Sequence, residues 1–135
     1  MLTATPGNLP WVPVDTSVVV DVLRSDPAMV QRYAQINPVI SATVLGELLH
    51  GVQRARRSGR QNALIANLLS RSHMVSCDEA TAPQYATIRH RLEQQGTRIP
   101  ENDIWIAATA AQHQLTLATR DPHFRHLHWM LIEQS

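Results

Sequence analysis

The sequence has no lysine: all twelve of its basic residues are arginine. Arginine's planar fork suits bidentate contacts to phosphate and carboxylate, although the codon bias of a GC-rich genome produces the same usage without any ligand. Cysteine is nearly absent too. Cys77 stands alone, which excludes an internal disulfide and fits a reducing, cytosolic setting. No stretch reaches the roughly 18 consecutive apolar residues that a membrane span needs. Residues 1–11 carry no basic side chain and no sustained apolar run, so they read as a loose Pro/Gly/Thr-rich tail rather than a signal peptide. The net charge of +1 is too balanced to name a polyanionic partner by itself.

What is present suffices for one domain. A chain of 135 residues, 44% apolar and 17% charged, is globular and buries a self-sufficient core without staples or zinc. There is no internal repeat, low-complexity stretch or interdomain linker. Residues 1–10 are expected to form a leader and residues 11–135 the folded domain.

Short apolar runs alternate with longer amphipathic stretches. An expected strand over 12–14 runs into Asp15, followed by helices over 16–24 and 26–35. A strand over 38–41 precedes a helix over 43–57 with a stripe at Val44, Leu45, Leu48, Leu49 and Val52. The helix over 60–72 repeats that spacing at Leu64, Ile65, Leu68 and Leu69. After a strand over 74–76, Ser76 and Glu79 match a capping box opening a helix that ends near Gly96. Asn102 is expected to N-cap a helix over 103–114, and strands over 115–118 and 129–132 complete the chain. Pro13 falls in the first strand, where a missing N–H is awkward. Either that strand begins late or Pro13 faces a gap in the ladder.

This alternation predicts a single α/β domain with a mainly parallel sheet, whose ligands bind beyond the carboxyl ends of the strands where strand order reverses. Asp15 ends the first strand, and Asp121 follows the fourth by three residues. Asp103 sits in the first turn of its helix, where the macrodipole favours a negative charge by ~0.3–1 kcal/mol. Glu47 lies mid-helix on the flank of the apolar stripe. Gly51, one turn further on that side, costs ~1 kcal/mol relative to alanine, and room for something to approach beside Glu47 would compensate. Taken singly, Asp15 and Asp103 read as caps, Asp121 as a turn former before Pro122, and Glu47 as a solvated helix residue. Taken together, converging carboxylates cannot all stay ionised without a cation. A set of hard oxygen ligands with no paired cysteines selects Mg²⁺, with Mn²⁺ as a substitute. Such a site activates water and clamps a scissile phosphate.

Four segments, VDTSVVVDVL (14–23), ISATVLGELLHG (40–51), PENDIWIAATA (100–110) and LATRDPHF (117–124), resemble the PIN-domain ribonucleases in order and spacing. More narrowly they resemble the VapC group, the toxin subunits of bacterial and archaeal toxin–antitoxin pairs. The resemblance implies a three-layer α/β fold with a mainly parallel five-stranded sheet in the order 3-2-1-4-5. It assigns catalytic and metal-binding roles to Asp15, Glu47, Asp103 and Asp121, with Thr16, Asn102 and Thr119 as polar neighbours that orient the acids or bound water. It also implies a cytoplasmic Mg²⁺-dependent endoribonuclease that hydrolyses RNA with metal-activated water and needs no protein nucleophile. A small DNA-binding antitoxin whose tail wraps the toxin and a homodimeric state come with it; the apolar faces of the third and fourth helices read either as the seat of that tail or as ordinary core. The departures are the long leader and His123, which stands where many members of the family carry another acid.

Arg98 and Arg120 are candidate phosphate contacts. The run Arg54, Arg56, Arg57 and Arg60 reads either as a solvated helix turn or as an RNA contact. Three alternatives compete. One is a PIN-fold binding module that has lost catalysis. Another is a nuclease acting on DNA or in general RNA processing. The third is a histidine-rich metal enzyme using His123, His126 and His128 or Glu47 with His50, though the di-iron version of that site requires a four-helix bundle and a second copy of the motif.

Overall fold

Each strand is short, so helix caps and turns decide where the sheet begins and ends. The computed structural model describes residues 8–55 and 59–135. Most of the leader and two members of the basic run, Arg56 and Arg57, lie outside the described residues, as does the side chain of Arg60. The elements are β1 (Trp11–Pro13), α1 (Thr16–Leu23), α2 (Pro27–Ala34), β2 (Asn37–Ser41), α3 (Ala42–Ala55), α4 (Gly59–Ser70), β3 (His73–Val75), α5 (Ala82–Gln94), α6 (Glu101–Gln112), β4 (Leu117–Thr119), a 3-10 turn (Pro122–His126) and β5 (Ile132–Gln134).

All strand pairings are parallel. Val12 lies opposite Pro38, Ile40 opposite Met74, and Ala118 opposite Glu133. A single parallel bridge between Val14 and Ala118 sets β1 beside β4. The strand order is therefore 3-2-1-4-5, but as a three-stranded and a two-stranded ladder joined at one point rather than a continuous sheet. Pro13 supplies the reason. The Val14 N–H donates to Val39 O at 3.1 Å and the Asp15 N–H to Ala118 O at 3.1 Å. Backbone donors alternate sides along a strand, so the missing N–H of Pro13 faces β4. Pro13 thus faces the gap in the ladder.

The core gathers Val12, Val14, Val19, Ile40, Val44, Ile104, Leu117 and Phe124. Helix α6 is buried along most of its length, with Ile104, Ile106, Ala107, Ala108, Thr109 and Ala110 all inside. Small alanines let neighbouring elements approach closely, and α6 packs against α5 and α3. Among the described residues, three helices end on a residue in the left-handed region: α5 on Gly96 (φ 68), where the Thr97 N–H reaches Leu92 O at 3.0 Å, and two on residues other than glycine. At Ser25 (φ 62) the Asp26 N–H reaches back to Asp21 O at 2.9 Å, and at Gln114 (φ 57) the Leu115 N–H reaches Ala110 O at 3.1 Å. Both are Schellman closures. The second uses Leu115, which is why β4 starts at Leu117 and not at the expected 115.

Three further expectations need correction. Ser76 and Glu79 do not form a capping box: Ser76 Oγ donates to Asp78 Oδ2 at 3.0 Å, and the Asp78 N–H donates to Thr81 Oγ1 at 3.0 Å, so α5 opens later, after Thr81. Asn102 is not an N-cap. Pro100 occupies that position and its carbonyl accepts the Asp103 N–H at 3.0 Å, which leaves Asn102 exposed inside the first turn. The last strand is displaced toward the C-terminus because Trp129 and Met130 lie in a turn closed by the Met130 N–H on Leu127 O at 3.0 Å.

Candidate metal centre

Four carboxylates from four parts of the chain meet where β1 and β4 end side by side. Asp15 leaves β1 and caps α1: its Oδ1 accepts the Val18 N–H at 3.3 Å and Ser17 Oγ at 2.5 Å. Its Oδ2 accepts Thr119 Oγ1, from β4, at 2.7 Å. The same threonine oxygen accepts the Asp121 N–H at 2.9 Å, so one buried hydroxyl positions two acids. Glu47 comes from α3, and Thr16 Oγ1 donates to its Oε1 at 2.7 Å. A Cβ at Gly51 would meet no other atom, so packing does not require the glycine there.

Asp103 stands in the first turn of α6 and is buried, at 7% exposure. Its Oδ2 makes no hydrogen bond. Asp121 opens the 3-10 turn, where its Oδ1 accepts the His123 N–H at 2.9 Å. The His123 imidazole folds back over the acids, with Nδ1 2.9 Å from Asp121 Oδ1 and 3.6 Å from Asp103 Oδ2.

This crowding shows in the acidities. Burial, followed by the negative charge of Asp121, pushes the Asp103 carboxyl up to about 7, with Glu47 and Asp15 adding to the repulsion and His123 opposing it. Asp15 is also raised by burial, although the Ser17, Thr119 and Val18 donors hold it down. A carboxylate buried among other carboxylates, with one oxygen lacking a donor, is a strained anion in want of a cation. The donor set fits a divalent ion: Asp103, Asp121 and His123 each offer a ligand atom, all within 4.8 Å of one another. Carboxylate oxygens suit Mg²⁺ and Mn²⁺, and an imidazole adds affinity for transition ions.

Asp15, Glu47, Asp103, Asp121, Thr16 and Thr119 are thus brought together. Asn102 points no bond into the cluster and is exposed. Arg98 is exposed beside a groove between α5 and α6 that Arg89, Glu101 and Ile104 also line. Arg120 is engaged elsewhere: its Nη1 lies 3.0 Å from both Asp21 and Asp26. Among the described residues His50, His126 and His128 join no ligand group, which removes the geometric basis for a histidine-rich site. Sequence reasoning missed Ser17. It accepts the Arg120 N–H at 3.0 Å while donating to Asp15, and its signal was a hydroxyl two positions after a strand-end aspartate.

A parallel α/β domain with oxygen ligands gathered where strand order reverses is the architecture of PIN domains, and the chain belongs to that family, whose pattern matches residues 12–129. Within it, the relatives are VapC ribonucleases and toxins. The chain is 33% identical over 111 residues to Ribonuclease VapC4 of Mycobacterium tuberculosis, covering 79% of this chain and 83% of that one. It is 34% identical over 119 residues to Toxin FitB of Neisseria gonorrhoeae, covering 80% and 86%. VapBC-5 of Mycobacterium tuberculosis, a solved member of the VapBC family of toxin–antitoxin systems, superposes with a TM-score of 0.69 at 29% identity, covering 92% of this chain and 96% of that one. No helix among the described residues is long and apolar enough to cross a membrane.

Proposed function

We propose that this chain is a divalent-metal-dependent endoribonuclease and the toxin of a toxin–antitoxin pair. The observation that carries the reading is the convergence of Asp15, Glu47, Asp103 and Asp121 around a buried, unpartnered Asp103 Oδ2. When bound, Mg²⁺, or Mn²⁺ in its place, lets these carboxylates ionise together and polarises water and the scissile phosphate. Asp15, Asp103 and Asp121 hold the ion, with Glu47 reaching it directly or through water. Ser17 and Thr119 lock the Asp15 carboxylate in one orientation, and Thr16 does the same for Glu47. No side chain in the cluster is placed as a nucleophile. Arg98, exposed near the start of α6, meets the RNA backbone, and Arg54 extends the positive surface.

An antitoxin partner is supported by the relatives' assemblies and by an apolar groove. Helices α3 and α4 bury Val44, Leu48, Ile65 and Leu68 as core but leave Leu49 and Leu64 exposed. Leu64 and Leu68 border a groove completed by Val22, Leu23 and Tyr33, suited to an amphipathic segment. A homodimer sharing one acidic groove fits the same reading.

The test is side-by-side digestion of RNA and single-stranded DNA with the purified chain. RNA cleavage that requires Mg²⁺ or Mn²⁺ and disappears in folded Asp15→Asn or Asp103→Asn supports the proposal. Equal cleavage of DNA moves the substrate class, and no cleavage of either by the metal-loaded protein refutes it.

A further inference from the structure

We propose that His123 is a nitrogen ligand of the divalent ion, which makes the centre a mixed nitrogen–oxygen site that favours Mn²⁺ over Mg²⁺. The inference rests on the metal-centre reading above and goes beyond it in the ligand set and the ion preferred.

The argument begins with distances. His123 Nδ1 is 2.9 Å from Asp121 Oδ1 and 3.6 Å from Asp103 Oδ2, and all three ligand atoms lie within 4.8 Å of one another. Adjacent ligand atoms on an octahedral ion with bonds of about 2.1–2.2 Å stand roughly 3 Å apart. The Nδ1–Asp121 Oδ1 pair matches that spacing, and Asp103 Oδ2 stands slightly farther from the ring. A second observation is Asp103 Oδ2, buried and without a hydrogen-bond donor. The ring nitrogen that faces the acids lies 2.9 Å from Asp121 Oδ1 and would have to reach Asp103 Oδ2 as well to leave no orphaned oxygen. At 3.6 Å it does not. An ion between the three atoms satisfies all of them.

The ring is placed by the fold rather than by a free side chain. The His123 N–H donates to Asp121 Oδ1 within the 3-10 turn. The next residue, Phe124, is buried at 1% exposure and anchors that turn in the core. Imidazole binds transition ions better than it binds Mg²⁺, which prefers oxygen and keeps its waters. Replacing an acid with histidine at this corner therefore tilts selectivity toward Mn²⁺.

The experiment is Mn²⁺ titration of the full-length protein, followed by electron spin-echo envelope modulation of the bound ion. Direct ¹⁴N coupling is expected in the wild type and absent in His123→Ala. No other histidine among the described residues belongs to the ligand group, so the signal is assignable. In His123→Asp, which restores an oxygen ligand, the ratio of Mn²⁺ to Mg²⁺ affinity should fall roughly tenfold or more. Tightly bound Mn²⁺ without nitrogen coupling, or with coupling that survives in His123→Ala, overturns the role of His123 and leaves the metal centre standing. A wild-type protein that binds no Mn²⁺ at all overturns both.

Discussion

Thr119 Oγ1 donates to Asp15 Oδ2 at 2.7 Å and accepts the Asp121 N–H at 2.9 Å, so a single hydroxyl joins the two acids that end neighbouring strands. Thr119 has no exposed surface, and its β-branched shape fits the strand. Thr119→Val keeps that shape but strands a buried carboxylate oxygen and a backbone donor. The expected cost is about 1–3 kcal/mol in urea unfolding, with RNA cleavage reduced as well. Thr119→Ser should recover most of both. An unchanged midpoint in Thr119→Val would show that this hydroxyl does not organise the site.

Asp103 makes the apo protein's stability depend on pH. Burial and the neighbouring acids push its carboxyl up to about 7 in the fold, against an ordinary value of 3.8. Between those values the folded state keeps the proton and the unfolded state releases it. Stability contributed by this group therefore falls as pH rises through that window and levels off above it. In EDTA, Asp103→Asn should flatten the slope and be more stable than wild type at pH 8, by on the order of 1–3 kcal/mol. That corresponds to a melting temperature roughly 5–10 °C higher. Mg²⁺ should raise the wild-type melting temperature at pH 8 and leave that of the variant nearly unmoved. Identical pH profiles for the two proteins would contradict the assignment.

Thr16 tests whether Glu47 must be held. Its hydroxyl is the donor that bridges α1 to α3 at the site. Thr16→Val should lower the cleavage rate by about tenfold, equivalent to ~1.4 kcal/mol of transition-state stabilisation, with little change in folding. Thr16→Ser should cleave normally. Kinetics on a short RNA, with circular dichroism as the folding control, separates the outcomes.

The two arginines flanking the acids should behave differently. Arg120 is paired with Asp21 and Asp26, whereas Arg98 is exposed near the start of α6. Each phosphate contact contributes about one to the slope of log affinity against log salt. Using catalytically inactive Asp103→Asn as background, Arg98→Ala should reduce that slope for RNA by about one. Arg120→Ala should leave it unchanged and instead lower thermal stability. The reverse pattern would mean that RNA displaces the two aspartates from Arg120.

Three of the acids were legible because each sits at a boundary with a local signal: an apolar run ending in Asp15, a polar break before Asp103, a short strand before Asp121; Glu47, inside α3, was marked only by its place on the flank of an apolar stripe. That Asp15 and Asp121 would adjoin came from the order 3-2-1-4-5 implied by the PIN resemblance, in which strand order reverses between the first and fourth strands. Caps were harder to read. Ser76 and Asn102 have the right chemistry, yet Asp78 with Thr81 and Pro100 compete for the same backbone groups a few residues away. The two-ladder sheet depended on which side of β1 the nitrogen of Pro13 faces, and only the register settles that. His123 stood out only as a departure from a pattern, because its contact with Asp103 is created by a 3-10 turn whose path is set by the burial of Phe124.

The most direct measurement is an anomalous difference map from crystals of the wild-type protein soaked in Mn²⁺. The account predicts a peak within bonding distance of Asp15, Asp103 Oδ2 and Asp121, with Glu47 at or one water from the ion. A fully soaked crystal with no peak among these four carboxylates, from protein that still cleaves RNA, would contradict it.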